Sequence, residues 1–145
     1  MAELTPIPAV EGVLETSLYV ANLEISLQFY SEVFGFQTLY YDPARMASLN
    51  VRGRQVLLLF LKGASLQPIE IPHGGTIPGH DGAGELHLAF AVSSDDLAHW
   101  RTWLNRQHIS IEAEMHWERG GDSLYFRDPD GHLLELVTPG VWAIR

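Results

Sequence analysis

From Leu14 to Leu23 the chain reads LETSLYVANL, which sets Glu15, Ser17 and Tyr19 on one face of a predicted strand and Leu14, Leu18 and Val20 on the other, because successive strand side chains point to opposite sides. A helical pattern follows, with Leu23, Leu27, Tyr30 and Phe34 at three- and four-residue spacing. The same order returns at Leu86. There LHLAFAV sets His87, Ala89 and Ala91 against Leu86, Leu88, Phe90 and Val92, and a capping stretch of Ser-Ser-Asp-Asp leads into Leu97, Trp100 and Leu104. Glu15 and His87 are equivalent at an offset of 72, and SLNVR (Ser48–Arg52) matches SLYFR (Ser123–Arg127) at an offset of 75. Each of those segments precedes a tight turn and an apolar strand, QVLLLFL (Gln55–Leu61) and HLLELV (His132–Val137).

An internal repeat of this size means that neither copy buries its apolar face alone. The pattern predicts one α+β domain over 1–145 made of two βαβββ units, at about 12–66 and 84–138, with a Gly- and Pro-rich linker at 67–84 and a tail at 139–145. The bulky face of each first strand belongs against the helices. The opposite face, small or polar, has the character of a cavity wall.

Composition narrows the chemistry. With 46% hydrophobic and 19% charged residues the chain is globular, and a net charge of −9 repels nucleic acid and anionic membrane. No cysteine is present, so a metal falls to His, Asp, Glu or backbone oxygen. The longest apolar run, Val56–Leu61, is far short of the roughly 20 residues of a membrane span. The opening MAELTPIPAVEG lacks the regions of a signal peptide, so a cytoplasmic protein is expected.

Glu135 lies among Leu133, Leu134, Leu136 and Val137, where an ionised carboxylate costs several kcal/mol unless it is paired. Arg52 or Arg127 could supply that pair, His87 could be a hydrogen-bonded strand histidine, and Glu15 could be exposed. Their placement in the repeat favours a shared site instead.

Over about 12–138 the chain resembles the vicinal oxygen chelate superfamily, which includes glyoxalase I, bleomycin-resistance proteins, extradiol dioxygenases, methylmalonyl-CoA epimerase and fosfomycin-modifying transferases. The carriers are LETSLYVANLEISLQFYSEVFGF, GELHLAFAV and, most specific, SLYFRDPDGHLLEL. The resemblance implies a glyoxalase/dioxygenase-like fold, with the two repeats forming a cupped mixed sheet around a cavity. It also implies a homodimer, and a divalent ion (Fe, Mn, Zn or Mg) held by Glu15, His87 and Glu135. Leu58 falls where glyoxalase I has a further ligand, so the set resembles three-ligand sites, with Glu15 where those usually have histidine.

Tyr125, ten residues before Glu135, matches an active-site tyrosine of the fosfomycin transferases. A four-residue turn over Asp128–Gly131 would put the two on opposite faces, so a catalytic Tyr125 requires a longer loop or a bulge. Glu15 is the other catalytic candidate, as a base. His73 and His80 in the linker could close over a ligand, and Trp117 with Gly120 and Gly121 could form a rim. The activity implied is a metalloenzyme whose small substrate chelates the metal through neighbouring oxygens, by dioxygenase-like, lyase or isomerase, or thiol-transfer chemistry. The alternative is a metal-free module that sequesters small molecules as bleomycin-resistance proteins do, for which the acidic charge favours cationic ligands.

Overall fold

The structure, a computed structural model, describes residues 5–144. The first repeat comprises β1 (Glu15–Val20), α1 (Leu23–Phe34), β2 (Gln37–Asp42), β3 (Met46–Val51) and β4 (Gln55–Leu61). The linker contains a short hairpin that its composition did not announce, β5 (Ile69–Ile71) and β6 (Gly75–Ile77). The second repeat comprises β7 (His87–Ala91), a single 3-10 turn (Ser94–Asp96), α2 (Leu97–Arg106), β8 (Ala113–His116), β9 (Asp122–Arg127) and β10 (Leu133–Val137).

Each repeat forms one mixed four-stranded sheet, ordered β1-β4-β3-β2 and β7-β10-β9-β8. In both, the first strand pairs in parallel with the last, and the remaining pairs are antiparallel. A parallel pair needs a long crossover, and α1 and α2 begin theirs. Asn22 starts α1 by accepting the Ile25 N–H at 3.1 Å. Gly35 ends it in the left-handed region, at φ 70°, with its N–H on the Ser31 carbonyl.

The apolar faces and both helices share one core. Leu18, Val20, Tyr30 and Val33 of the first repeat join Leu97, Leu104, Leu124, Phe126, Leu134 and Leu136 of the second. Phe34 reaches across, its ring centroid 4.7 Å from Phe90 and 6.1 Å from Phe126. The repeats therefore meet through their helix-bearing sides, which leaves Glu15 on one sheet and His87, Ala89 and Ala91 on the other exposed.

The Asp128–His132 loop rivets the repeats together. Asp128 accepts the backbone N–H groups of Asp130 and His132 through Oδ1 and the Tyr30 hydroxyl through Oδ2, at 2.9, 2.9 and 2.7 Å. Asp130 accepts the Ala21 N–H and the Ser26 hydroxyl ahead of and within the first turn of α1, where the helix dipole favours a negative group. His132, fully buried, accepts the Leu86 N–H at Nδ1 and donates from Nε2 to the Tyr19 carbonyl, both at 2.8 Å. The last strand consequently starts at Leu133, one residue later than the apolar run suggests.

Candidate metal centre

His87 opens β7, and its backbone stands beside Leu133 of β10. Its Nδ1 lies 2.9 Å from the Leu133 carbonyl oxygen. A carbonyl only accepts, so Nδ1 carries a hydrogen and Nε2 is the nitrogen turned toward Glu135. Nε2 lies 3.2 Å from Oε1 of Glu135. A proton on Nε2 or a metal ion between the two atoms satisfies both at that distance. Donors about 2.1 Å from a common ion subtend about 100° at this separation, an ordinary angle for a divalent metal. Half of the His87 side chain is exposed (51%) while that of Glu135 is largely covered (10%), so the pair is reached from solvent through the His87 side.

The covering comes from the same sheet. Ser123 is fully buried and donates its hydroxyl to Oε2 of Glu135 at 2.6 Å. The Trp117 indole N–H donates to the Ser123 oxygen at 2.8 Å. Tyr125 stands directly opposite Glu135 in the β9–β10 ladder, and its ring stacks beside His87 with centroids 6.3 Å apart. The four-residue turn is therefore corrected: Arg127 pairs with Leu133, the loop takes in Asp128–His132, and its fifth residue brings Tyr125 and Glu135 to one face. Burial, and then the negative charge of Glu135, push the Tyr125 phenol upward, so it stands as a neutral hydrogen-bond donor.

Arg127 is not the partner of Glu135. Its guanidinium lies 2.7 Å from Glu112 and 3.5 Å from Glu85.

Glu15 opens β1 as His87 opens β7, with Val56 as its parallel neighbour. Leu58 sits opposite Ser17 as Glu135 sits opposite Ala89, which confirms the equivalence of Leu58 and Glu135. Glu15 does not join His87 and Glu135 within one chain. Among the described residues, Asp128, Asp130 and His132 are the one group whose donor atoms all lie within 4.8 Å of one another. That group is the inter-repeat rivet. Every carboxylate oxygen and both imidazole nitrogens are engaged by protein groups, so its donors serve to hold the repeats together.

The end of the linker is fastened over the polar face of the first sheet. His80 Nδ1 meets the Tyr19 hydroxyl at 2.8 Å, and its ring packs on Phe60 with centroids 4.4 Å apart. Asp81 accepts the Gly63 N–H. A β-carbon on Gly82 would fall 2.3 Å from the Tyr19 ring, so this close approach requires glycine. His73 is exposed at the tip of the β5–β6 hairpin. Sequence reasoning placed Trp117 only at a rim and missed Ser123. The even spacing of Ser123 from Glu135 was the available signal, because a five-residue loop puts both on one face.

This fold defines a class. The family model of the Glyoxalase/Bleomycin resistance protein/Dioxygenase superfamily matches residues 12–136, and the chain belongs to that superfamily. Its relatives include proteins named a metallothiol transferase and a lactoylglutathione lyase.

Particular relatives sharpen the picture. The metallothiol transferase FosB of Staphylococcus haemolyticus is 28% identical over 130 residues, covering 89% of this chain and 84% of that protein. FosB of Bacillus licheniformis is 29% identical over 132 residues, 90% of this chain and 77% of its own length. The lactoylglutathione lyase structure from Agrobacterium tumefaciens superposes with a TM-score of 0.84 at 28% identity, covering 94% of this chain and all of that one.

Proposed function

We propose that this protein is a homodimeric metalloenzyme that joins a thiol to, or releases it from, a small electrophile whose neighbouring oxygens chelate a divalent ion. The observation that carries the reading is the His87–Glu135 pair, with Nδ1 tied to a carbonyl and Nε2 turned 3.2 Å from a carboxylate oxygen. The thiol class is supported by what the relatives' names describe, a metallothiol transferase and a lyase of a glutathione adduct. The fold alone hosts many chemistries.

His87 and Glu135 would hold the ion, with Glu15 of a second copy as the third ligand or as a base. The exposure of the His87 side chain and the separation of Glu15 from it within one chain support a site closed by the first sheet of a partner subunit. Bound there, a divalent ion supplies Lewis acidity toward the developing charge on substrate oxygen. Tyr125, kept neutral, donates a hydrogen bond to a substrate oxygen from the same face. Ala89 and Ala91 leave that face low, giving substrate room beside the pair. Fe, Mn, Zn and Mg all accept two carboxylates and one imidazole. A cytoplasmic setting, which keeps thiols reduced, suits this chemistry.

The test is elemental analysis of protein purified without chelators, followed by thiol consumption with 2-oxoaldehyde and epoxide substrates. Wild type should carry about one divalent ion per chain and a His87→Ala/Glu135→Ala variant almost none. Equal, negligible metal in both would sink the reading.

A further inference from the structure

We infer that Trp117 and Ser123 form a directed hydrogen-bond relay that orients Glu135 as a one-oxygen metal ligand. The inference rests on the reading of Glu135 as a ligand and adds two positioning residues to it. Direction follows from donor chemistry. An indole nitrogen donates and never accepts, so at 2.8 Å the Ser123 oxygen is the acceptor from Trp117. Its own hydrogen then points to Oε2 of Glu135, 2.6 Å away. A hydroxyl that donates to one carboxylate oxygen fixes the rotation of the whole group. Oε2 is thereby occupied, and Oε1 is left facing His87 Nε2 at 3.2 Å.

The relay is buried where it needs rigidity. Ser123 is inaccessible, Glu135 is 8% exposed, and they lie on adjacent antiparallel strands, Glu135 opposite Tyr125 and Ser123 two residues before Tyr125 on the same face. Trp117 is held by backbone bonds of its own, from its N–H to the Gly121 carbonyl and from the Gly120 N–H to its carbonyl. The turn at Gly120 and Gly121 thus sets the indole, which sets the hydroxyl, which sets the carboxylate. On the other ligand, the Leu133 carbonyl fixes the His87 tautomer in the same way. Each ligand has its own orienting partner, and partners of this kind are worth about 10–100-fold in metal affinity.

The experiment titrates the chelator-stripped full chain with Zn²⁺ and with Mn²⁺ by calorimetry, for wild type, Ser123→Ala, Trp117→Phe and Glu135→Ala. The melting temperature of each stripped protein is recorded alongside. The relay predicts about 10–100-fold weaker binding in Ser123→Ala and a smaller loss, of about 3–10-fold, in Trp117→Phe, a half-buried position where an aromatic ring is retained without the N–H. Glu135→Ala should abolish tight binding. If Glu135→Ala loses the metal while both relay variants stay within about threefold of wild type, the relay is overturned and the ligand reading stands. If Glu135→Ala binds like wild type, or wild type binds neither ion, the ligand reading itself has failed. Should Ser123→Ala not fold, Trp117→Phe decides alone, because no metal donor is altered in it.

Discussion

Replacing Tyr30 by phenylalanine removes one oxygen from the contact between the two repeats and nothing else. The phenol is fully buried and donates at 2.7 Å to Oδ2 of Asp128, itself 5% exposed. The Phe29 and Phe34 rings around it, at 5.1 and 5.9 Å, keep their contacts with a phenyl ring, so no cavity opens. What is lost is a hydrogen bond to a charged acceptor, about 1.5–3 kcal/mol, with the carboxylate oxygen left bare. At about 2–4 °C per kcal/mol for a chain near this size, the melting temperature should fall by roughly 3–12 °C.

Urea unfolding of chelator-stripped wild type, Tyr30→Phe, Asp128→Asn and the double variant gives the coupling directly. The rivet predicts a coupling of at least about 1 kcal/mol. A Tyr30→Phe variant within about 0.5 kcal/mol of wild type, with no coupling to Asp128, would refute the claim that this contact holds the repeats together.

Three further outcomes follow from particular contacts. Burial and the Asp128 charge push the Tyr30 phenol far above its ordinary value of 10.0. The folded chain therefore keeps a proton that the unfolded chain loses above that pH, and stability should be full below pH 10 and decline above it. In an absorbance titration, one of the five tyrosines should ionise only with unfolding. Gly82→Ala drives a β-carbon into the Tyr19 ring and should cost about 1–3 kcal/mol or release the linker. Faster proteolysis around residues 78–84 without loss of the core would show release. Arg127 holds the Glu112 carboxyl below its ordinary value of 4.5. The stability from that exposed pair should be present above pH 4.5, fade as pH falls through the lowered value, and shrink in salt. An unaltered acid limb in Arg127→Gln would contradict it.

The repeat was the legible part of this chain. Periodicity located both first strands and both helices, because their apolar faces form the common core and carry strong alternation. His87 and Glu135 could be paired in advance, since strand equivalence is a property of the repeat and not of any one side chain. The linker hairpin was less legible, being two three-residue strands with little burial. Asp-Pro-Asp-Gly read as a turn, but its length was misjudged by one residue, and that residue decides which face Tyr125 occupies. Nothing local marks His132 as belonging to the loop. It is drawn in by its bonds to Leu86 and Tyr19, far away in sequence. The separation of Glu15 from His87 and Glu135 was hardest to read, because the way the two repeats meet is not written in one strand.

The central claim is a metal held by His87 and Glu135 of one chain with Glu15 of another. Its most direct measurement mixes two defective proteins, Glu15→Gln and Glu135→Gln, by unfolding and refolding them together and isolating the differently tagged hybrid dimer. In a hybrid whose sites span two chains, one site carries both substitutions and the other carries neither. The account predicts one tightly bound metal ion per hybrid dimer and half of the wild-type thiol-transfer activity. Sites complete within each chain would leave every site with one defect, and a hybrid as empty and inactive as its parents would contradict the account.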